Sequence, residues 1–359
     1  MRMWRNSMKV VSIVGTRPEM IKMSEVIKKL DEHTNHVLIH TNQNYDYELN
    51  DIFRDIVRRP DRLFAKNEHF LGHLMTKTKI MLEQEKPDSV VILGDTNSAL
   101  SGIIAKRMKI PVFHLEAGNR CFDDNVPEEI NRRMIDHISD VNLVYTEHAR
   151  RNLLAEGIKS DRIFLTGSPM NEVISTHLES IKNSEILNEL MTHVGVYYLV
   201  SIHREENVEN SKHLKILVNT INKLAKDNRV ILTCHPRLAS KDIKFHKNVT
   251  VHKPFGFFDY IRLQAGAKCV LSDSGTISEE SAILGFPAVT LRTTIERPEA
   301  VDSGSIVVTG VDQKNILESL RIAHKSSMPV EYQTKDFSDR VLKVILGYTQ
   351  YVNRYVYGK

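Results

Sequence analysis

The chain has 359 residues, of which 41% are apolar and 26% are charged. At roughly 150 residues per domain, this length predicts two domains, and the composition excludes disordered and fibrous classes. The net charge of +4 is too small to indicate a nucleic-acid partner, although it suits a small anionic ligand. No apolar run reaches the ~20 residues of a membrane span, and no signal peptide is recognisable. We therefore expect a cytoplasmic protein that binds neither nucleic acid nor membranes.

Strand and helix signals alternate along the first half of the chain. The predicted strands are Lys9–Val14, His36–Thr41, Ser89–Leu93, Pro111–Leu115 and Val141–Tyr145. The predicted helices are Pro18–Leu30, Asn97–Met108 and Pro127–His137. Nearly continuous apolar strands that are separated by helices favour a buried parallel sheet with helices on both faces.

The second half repeats this alternation. The predicted strands are Tyr197–Ile202, Val230–Thr233, Cys269–Leu271 and Pro287–Leu291, and the predicted helices are Leu214–Lys226 and Ile277–Leu284. The sequence thus predicts an α/β protein with two Rossmann-like domains that face each other across a cleft. We place them at residues 8–167 and 168–335. Apolar side chains at helical spacing predict a C-terminal helix in 336–359 that crosses back to the first domain; they are Val341, Ile345, Tyr348, Val352 and Tyr355.

Ligands of such sheets bind at the carboxyl ends of the strands. The polar residues at those ends are Arg17, Asp95, Glu116, His203, Arg204, His235 and the run Asp273-Ser274-Gly275. Three carboxylates, Asp95, Glu116 and Glu128, would suit proton abstraction and return if burial raises the pKa of one of them. The ordinary alternatives are an Asx turn for Asp95 and a charge at a helix start for Glu128.

Phosphate could be held at two turns. The run Ser274-Gly275-Thr276 precedes a helix, whose free N–H groups favour an anion, although an ordinary helix cap would look the same. Glu280 in the first turn of that helix would either bind ribose hydroxyls or complement the helix dipole. Arg17 could hold a phosphate in a bidentate manner, and Lys22 lies on the following helix, where a solvated position is the alternative. His203 is a candidate acid, base or phosphate partner, or else a core histidine.

The sequence lacks the motifs that are typical of several cofactor and metal sites. The chain has neither the dinucleotide fingerprint G-x-G-x-x-G after its first strand nor a Walker A loop, and no H-E-x-x-H motif. Its three cysteines form no C-x-x-C pair. We therefore predict no redox cofactor and no metal.

Six motifs, in order, resemble those of the non-hydrolysing UDP-N-acetylglucosamine 2-epimerases. They are Gly15-Thr16-Arg17-Pro18-Glu19-Met20-Ile21-Lys22, Gly94-Asp95-Thr96, His114-Leu115-Glu116-Ala117-Gly118, Pro127-Glu128-Glu129-Ile130-Asn131-Arg132, Asp273-Ser274-Gly275 with Glu279-Glu280, and Glu296-Arg297-Pro298-Glu299-Ala300. The resemblance implies a fold of the glycosyltransferase-B type, an active site between the domains and a homodimer. It also implies C2 epimerisation of a UDP-activated 2-acetamido sugar, with UDP-N-acetylglucosamine and UDP-N-acetylmannosamine as the pair, through elimination and re-addition of UDP.

Residue roles follow from the positions in these motifs. Asp95, Glu116 and Glu128 would be the acid/base groups, with His203 beside the leaving diphosphate. Substrate would be bound by Arg17, Lys22, Arg132, Arg204, His235, Phe258, Ser274, Gly275, Thr276, Glu280 and Arg297, where Glu280 meets the ribose and Phe258 lies near the uracil. No cofactor or metal is implied.

The stretch Asn119–Asp123 resembles a branch that acts on capsule or O-antigen sugars. Alternative substrates are therefore UDP-6-deoxy-talosamine, which yields UDP-N-acetyl-L-fucosamine, and a UDP-diacetamido-uronate. Further alternatives are a hydrolysing epimerase, which releases free N-acetylmannosamine, a glycosyltransferase of the same fold and a non-catalytic UDP-sugar sensor. A sensor would not require three carboxylates.

Overall fold

A computed structural model describes residues 8–44, 49–234, 238, 241, 243–324 and 327–359. These residues form two compact units, of which the first runs to Val173 and also includes 334–359. The second unit comprises Ile174–Gln333. The domain limits predicted above, at residues 167 and 335, stay predictions.

The first unit is built on a parallel sheet of seven strands. Its strands are β1 (Lys9–Val14), β2 (Asn35–His40), β3 (Arg62–Leu63), β4 (Ser89–Leu93), β5 (Val112–Ala117), β6 (Val141–Val144) and β7 (Ile163–Leu165). The helices are α1 (Arg17–His33), α2 (Leu49–Asp55), α3 (Phe70–Glu85), α4 (Gly102–Arg107), α5 (Pro127–Ile138), α6 (Glu147–Ala155) and α7 (Met170–Thr176), the last of which spans the boundary between the units.

The strand order in this sheet is β3-β2-β1-β4-β5-β6-β7. The order reverses between β1 and β4, which pair directly with Val10 opposite Ser89. Every residue of β4 is buried, as expected for a strand that is covered by helices on both faces. The turns after β1 and β4 therefore lie side by side at the switch point, where open α/β sheets bind their ligands.

The second unit repeats this plan with a parallel sheet of six strands in the order β10-β9-β8-β11-β12-β13. Its strands are β8 (Tyr197–Ile202), β9 (Arg229–Cys234), β10 (Val249–His252), β11 (Cys269–Ser272), β12 (Ala288–Thr290) and β13 (Val307–Val308). The helices are α8 (Leu178–Lys182), α9 (Ile186–Glu189), α10 (Glu205–Val208), α11 (Ser211–Leu224), α12 (Phe257–Gly266), α13 (Ile277–Leu284), α14 (Pro298–Asp302) and α15 (Gln313–Ser319). The switch point of this sheet lies between β8 and β11.

The last helix, α16 (Phe337–Val352), belongs to the first unit and packs on α1. Lys29 of α1 forms an ion pair with Asp339 at 3.0 Å. The ring of Phe337 meets the ring of Tyr145 edge-on, with 5.7 Å between centroids. The chain therefore returns to the first sheet after it has built the second.

Most predicted elements are confirmed, and the differences have local causes. The helix expected at Asn97–Met108 is divided into a 3₁₀ turn, Asn97–Ser101, and α4, because Thr96 caps the first turn by accepting a hydrogen bond from Ser98 N. The prediction that Tyr355 belongs to the buried apolar stripe of the last helix is wrong, because this residue is 63% exposed. A π-helical turn at Asn353–Tyr357 rotates this residue off the buried face.

Candidate active site

The turn after β1 is crowded, and this crowding explains its glycine. A Cβ atom on Gly15 would lie 1.9 Å from Ser98 Oγ and 2.2 Å from Thr41 Oγ1, so no larger residue fits without displacement. Thr16 caps α1, and the half-buried Arg17 opens the helix at this switch point. The geometry keeps Arg17 at the carboxyl edge of the sheet, where the sequence predicted a phosphate-binding cation.

Glu19 joins the two turns at this switch point. Its Oε2 accepts hydrogen bonds from Gly15 N at 2.6 Å and Thr16 N at 3.3 Å, and its Oε1 accepts one from Thr96 Oγ1 of the turn after β4. Burial raises the pKa of Glu19 to about 7, although the three donors favour the ionised form. Glu19 thus ties the Arg17 turn to the Asp95 turn.

Asp95, directly after β4, is held by a cation. Arg132 on α5 donates to Asp95 Oδ2 from both Nε, at 3.0 Å, and Nη2. Arg132 Nη1 also donates to the buried Glu129 at 2.8 Å, and Asn131 Nδ2 donates to the backbone oxygen of Asp95 at 3.0 Å. The charge of Arg132 is thereby shared between two carboxylates.

Glu116, near the end of β5, has the unusual φ of +66° and lies where the pairing with β6 shifts its register, between Leu115 and Ala117. Its Oε2 forms an ion pair with Lys22 of α1 at 2.6 Å, and both side chains are almost buried, at 12% and 8% exposure. A Cβ atom on Gly94 would lie 3.8 Å from the same oxygen. The Glu116 carboxylate therefore lies beside Gly94, the residue that precedes Asp95.

A buried histidine supports this arrangement from behind. His114 on β5 is fully buried, with Nε2 2.8 Å from the backbone oxygen of Gly94 and Nδ1 2.9 Å from Asp136 Oδ1. Asp136 also accepts hydrogen bonds from Arg120 Nη1 at 2.7 Å and from Gly118 N. Both ring nitrogens are engaged, so His114 holds the Gly94 turn rather than meeting a ligand.

Glu128, the third predicted carboxylate, lies in the first turn of α5 and is half-buried. Within the described part of the chain it forms no hydrogen bond or ion pair. It differs in this respect from Asp95 and Glu116, which both carry a cation.

In the second unit, the corresponding position after β11 is Asp273, which is fully buried. It accepts hydrogen bonds from the backbone nitrogens of His203 and Arg204, at 3.1 and 3.0 Å, and from Asn207 Nδ2 at 3.1 Å. His203 Nδ1 lies 2.9 Å from Asp273 Oδ1. Burial opposes ionisation, but His203 and the other donors outweigh it and lower the pKa of Asp273 to about 2.

The turn that follows leads into α13. Ser274 Oγ and Thr276 Oγ1 are 3.0 Å apart, and Ser274 Oγ also accepts a hydrogen bond from Thr276 N. A Cβ atom on Gly275 would lie 3.7 Å from Arg292 Nη1 and 3.9 Å from Arg204 Nη2, so two guanidinium groups flank this turn. The backbone nitrogens of Ser274 and Thr276 donate to Ser272 Oγ and Ser274 Oγ, and Oε2 of Glu296, the partner of Arg292, lies 3.5 Å from the same Cβ position. The two guanidinium groups are therefore what this turn offers to an anion.

Two further ion pairs organise the second unit. Arg292 binds Glu296 through both terminal nitrogens, at 2.8 and 2.5 Å. Arg297, which the sequence predicted as a ligand-binding cation, donates to the buried Glu279 at 2.8 Å and is itself only 4% exposed. Its predicted role in the site stays a prediction.

The remaining predicted residues are placed as follows. Glu280 accepts a hydrogen bond from Gln264 Nε2 at 2.6 Å, and the ring of Phe258 lies 5.3 Å from that of His177. His235 lies outside the described residues. No group of three or more histidine, cysteine or acidic side chains that could hold a metal occurs in the described ranges. Across those ranges, no helix has the length and apolar character to span a membrane.

Sequence reasoning missed the roles of Glu19, Asp136 and Arg292. Glu19 left one signal, since a glutamate three residues after Thr16 forms a capping box. The partners of Asp136 and Arg292 carry no comparable signal, because nothing local marks a buried ion pair.

The comparisons with known proteins agree with this geometry. The family model for UDP-N-acetylglucosamine 2-epimerase matches residues 28–346. The structure of UDP-N-acetylglucosamine 2-epimerase from Rickettsia bellii is similar, with a TM-score of 0.92, 43% identity, and coverage of 98% of this chain and 100% of that chain.

Two other relatives are informative. A UDP-N-acetylglucosamine 2-epimerase of Methanocaldococcus jannaschii is 35% identical over 336 residues, which are 88% of this chain and 92% of the relative. A crystal structure from the same organism, in complex with UDP-GlcNAc and UDP, gives a TM-score of 0.89 at 32% identity, covering 95% of this chain and 100% of that chain. UDP-2,3-diacetamido-2,3-dideoxy-D-glucuronate 2-epimerase of Pseudomonas aeruginosa is 31% identical, covering 88% and 92% of the two chains.

The fold and the strand-end carboxylates define an α/β enzyme of the glycosyltransferase-B type, as the resemblance implied. The chain belongs to the UDP-N-acetylglucosamine 2-epimerase family. The predicted family and enzyme class, an isomerase acting on nucleotide sugars, are confirmed.

Proposed function

We propose that the protein interconverts UDP-N-acetylglucosamine and UDP-N-acetylmannosamine without hydrolysis. The C2 proton is removed while the C1–O bond to UDP breaks on the opposite face, which leaves a glycal and UDP in the site. UDP then adds back to C1, and a proton returns to C2 from the other face. The observation that carries this proposal is the Glu116 carboxylate beside the Asp95 turn, with Lys22 and Arg132 attached.

This chemistry explains why more than one carboxylate is needed. Proton removal and return take place on opposite faces of C2, so two groups at different positions must exchange the proton. We assign this work to Asp95, Glu116 and Glu128. Lys22 and Arg132 hold two of these carboxylates in place and line the sugar site.

The nucleotide is assigned mainly to the second unit. Ser274, Gly275 and Thr276 at the start of α13 would bind the diphosphate, together with Arg204, His203 and His235 and with Arg17 from the first unit. Glu280 would bind the ribose hydroxyls, Phe258 would contact the uracil, and Arg297 would complete the site. No cofactor or metal takes part in this scheme.

The sequence left other substrates open. The Pseudomonas aeruginosa relative is named for a UDP-diacetamido-glucuronate, and the stretch Asn119–Asp123 resembles a branch that acts on capsule or O-antigen sugars. Most relatives are named for UDP-N-acetylglucosamine, so we keep that substrate, and a UDP-diacetamido-uronate or the UDP-6-deoxy-talosamine that yields UDP-N-acetyl-L-fucosamine is an outcome of the test below. We also propose, from the family resemblance, that the enzyme is a cytoplasmic homodimer.

Incubation with a panel of UDP-2-acetamido sugars, followed by chromatography, tests the function. We expect a C2 epimer with intact UDP from UDP-N-acetylglucosamine. Free N-acetylmannosamine with UDP would indicate the hydrolysing reaction, and turnover only with an added acceptor would indicate a glycosyltransferase. Epimerisation of another panel member alone would replace the substrate but keep the reaction. Light scattering in solution checks the dimer.

A further inference from the structure

His203 and Asp273 form a pair whose geometry determines where the imidazole carries its hydrogen. Asp273 lies at the end of β11 and is fully buried. Its oxygens accept from two backbone N–H groups and from Asn207 Nδ2, as well as from the ring of His203. Four donors converge on this carboxylate, so it is ionised and has no hydrogen to donate.

The position of the ring follows from this. His203 Nδ1 lies 2.9 Å from Asp273 Oδ1. Because an ionised carboxylate only accepts hydrogen bonds, Nδ1 must carry the hydrogen. Nε2 then has the lone pair of the neutral ring. The side chain of His203 is 42% exposed, and Nε2 has no hydrogen-bond partner within the described ranges.

We infer that Asp273 is a positioning residue, which keeps the hydrogen of His203 on Nδ1 and makes Nε2 the nitrogen that meets the leaving diphosphate. The inference rests on the proposed function, in which His203 lies beside that group. Asp273 itself is fully buried, so it acts through His203. With the lone pair on Nε2, the exposed His203 can take up a proton from solvent there and donate that N–H to the diphosphate as UDP leaves.

The alternative explanation is that Asp273 only orders the turn. Two of its hydrogen bonds come from the backbone of His203 and Arg204, and these would order the turn whatever the ring does. The substitution Asp273→Asn separates the two roles. Its carbonyl oxygen can still accept from the backbone donors, whereas its amide donates to Nδ1 and moves the ring hydrogen to Nε2.

The spectroscopic test uses the full-length protein with ¹⁵N-labelled histidine. Long-range ¹⁵N–¹H correlations distinguish the two tautomers, and His203→Asn identifies the signals of this ring. We expect the hydrogen on Nδ1 in the wild type and on Nε2 in Asp273→Asn. A wild-type His203 with its hydrogen on Nε2 overturns the inference, and this result does not depend on the folding of Asp273→Asn.

The kinetic test compares Asp273→Asn with His203→Asn and with the double variant. We expect Asp273→Asn to lower kcat by at least about tenfold, which is less than the full contribution of a general acid or base. The double variant should be no slower than His203→Asn alone, because Asp273 acts only through His203. Asn207→Ala, which removes a hydrogen bond to Asp273 but leaves the ring contact, is the matched control and should keep near-normal kcat. An equal loss in Asn207→Ala, or normal kcat in a folded Asp273→Asn, would show that Asp273 only shapes the turn. If no UDP-sugar is epimerised, the proposed function is wrong. The NMR measurement of the His203 tautomer still tests the positioning role of Asp273 in that case.

Discussion

Each of the two sheets has a buried carboxylate that connects the turns at its switch point, but the two carboxylates have different partners. Glu19 binds two backbone N–H groups and the Thr96 hydroxyl, all neutral donors, and burial raises its pKa to about 7. Asp273 binds similar backbone donors and also His203, and its pKa is lowered to about 2 in spite of burial. Both carboxylates order a turn, but only the one with a histidine partner has a lowered pKa and stays ionised.

The two units also differ in what their strand ends carry. In the first unit, carboxylates follow β4 and β5, and each has a cation attached. In the second unit, the buried Asp273 follows β11, and the turn Ser274–Thr276 after it is flanked by Arg204, Arg292 and Glu296. In the proposed function, the first unit transfers the proton and the second binds the diphosphate.

The largest expected effect concerns the carboxylates of the first unit. We expect Asp95→Asn, Glu116→Gln and Glu128→Gln each to lower kcat by at least ~100-fold, the lower range for general acid–base catalysis. UDP affinity should change much less, because the nucleotide is assigned mainly to the second unit. Steady-state kinetics and calorimetry with UDP check both parts. The exposed Glu83→Gln is the matched control, and near-normal turnover in all three variants would remove these residues from the chemistry.

The next prediction concerns the buried pair of His114 and Asp136. Asp136→Asn removes the buried ion pair with Arg120, although Arg120 keeps Glu156 as a second partner. The lost charge-assisted hydrogen bond should lower the free energy of unfolding by about 1.5–3 kcal/mol. Urea titration measures this change. The exposed Asp124→Asn, which also loses an arginine partner, should cost less than about 1 kcal/mol. Equal costs for the two variants would contradict a supporting role for the His114 network.

Arg17 tests whether both units bind the diphosphate. Loss of a charge-assisted hydrogen bond costs roughly 1.5–3 kcal/mol, so Arg17→Ala should weaken UDP binding about tenfold to hundredfold. The variant should also release free UDP and glycal during turnover, which chromatography detects. The exposed Arg107→Ala serves as the control for a lost positive charge. Unchanged UDP affinity in Arg17→Ala would confine the diphosphate to the second unit.

The pH dependence of stability separates Glu19 from Asp273. The folded-state pKa of Glu19 is raised, so the folded protein retains a proton that the unfolded chain loses above about pH 4.5. The free energy of unfolding should therefore fall by about 1.4 kcal/mol per pH unit as the pH rises towards 7. In Glu19→Gln this contribution is absent, so the difference between wild type and variant should shrink across that range. A constant difference in urea titrations from pH 5 to 7 would contradict the raised pKa.

Asp273 should act in the opposite direction and at lower pH. Its folded-state pKa is below the unfolded value, so its contribution to stability is present above about pH 4 and is lost as the pH falls towards 2. We expect this loss to be about 2.5 kcal/mol in total. Thermal unfolding of wild type and Asp273→Asn between pH 4 and pH 2 measures it, and parallel curves for the two proteins would be inconsistent with an ionised Asp273.

The sequence predicted the features that depend on local patterns. Apolar runs placed β1, β4 and β8, and polar residues at strand ends marked Asp95 and Glu116. It could not predict the pairs that organise these ends, such as Lys22 with Glu116, because the partners are 94 residues apart and nothing local links them. The exposure of Tyr355 was missed for a different reason, since a π-helical turn changes the helical period that the prediction assumed.

The central claim is that the proton at C2 is exchanged between carboxylates and solvent while UDP leaves and returns. Turnover of UDP-N-acetylglucosamine in deuterated water, followed by mass spectrometry and proton NMR of the purified epimer, tests it directly. We predict that the product carries deuterium at C2 and at no other carbon of the sugar. Full retention of the original C2 hydrogen in the product would contradict the account.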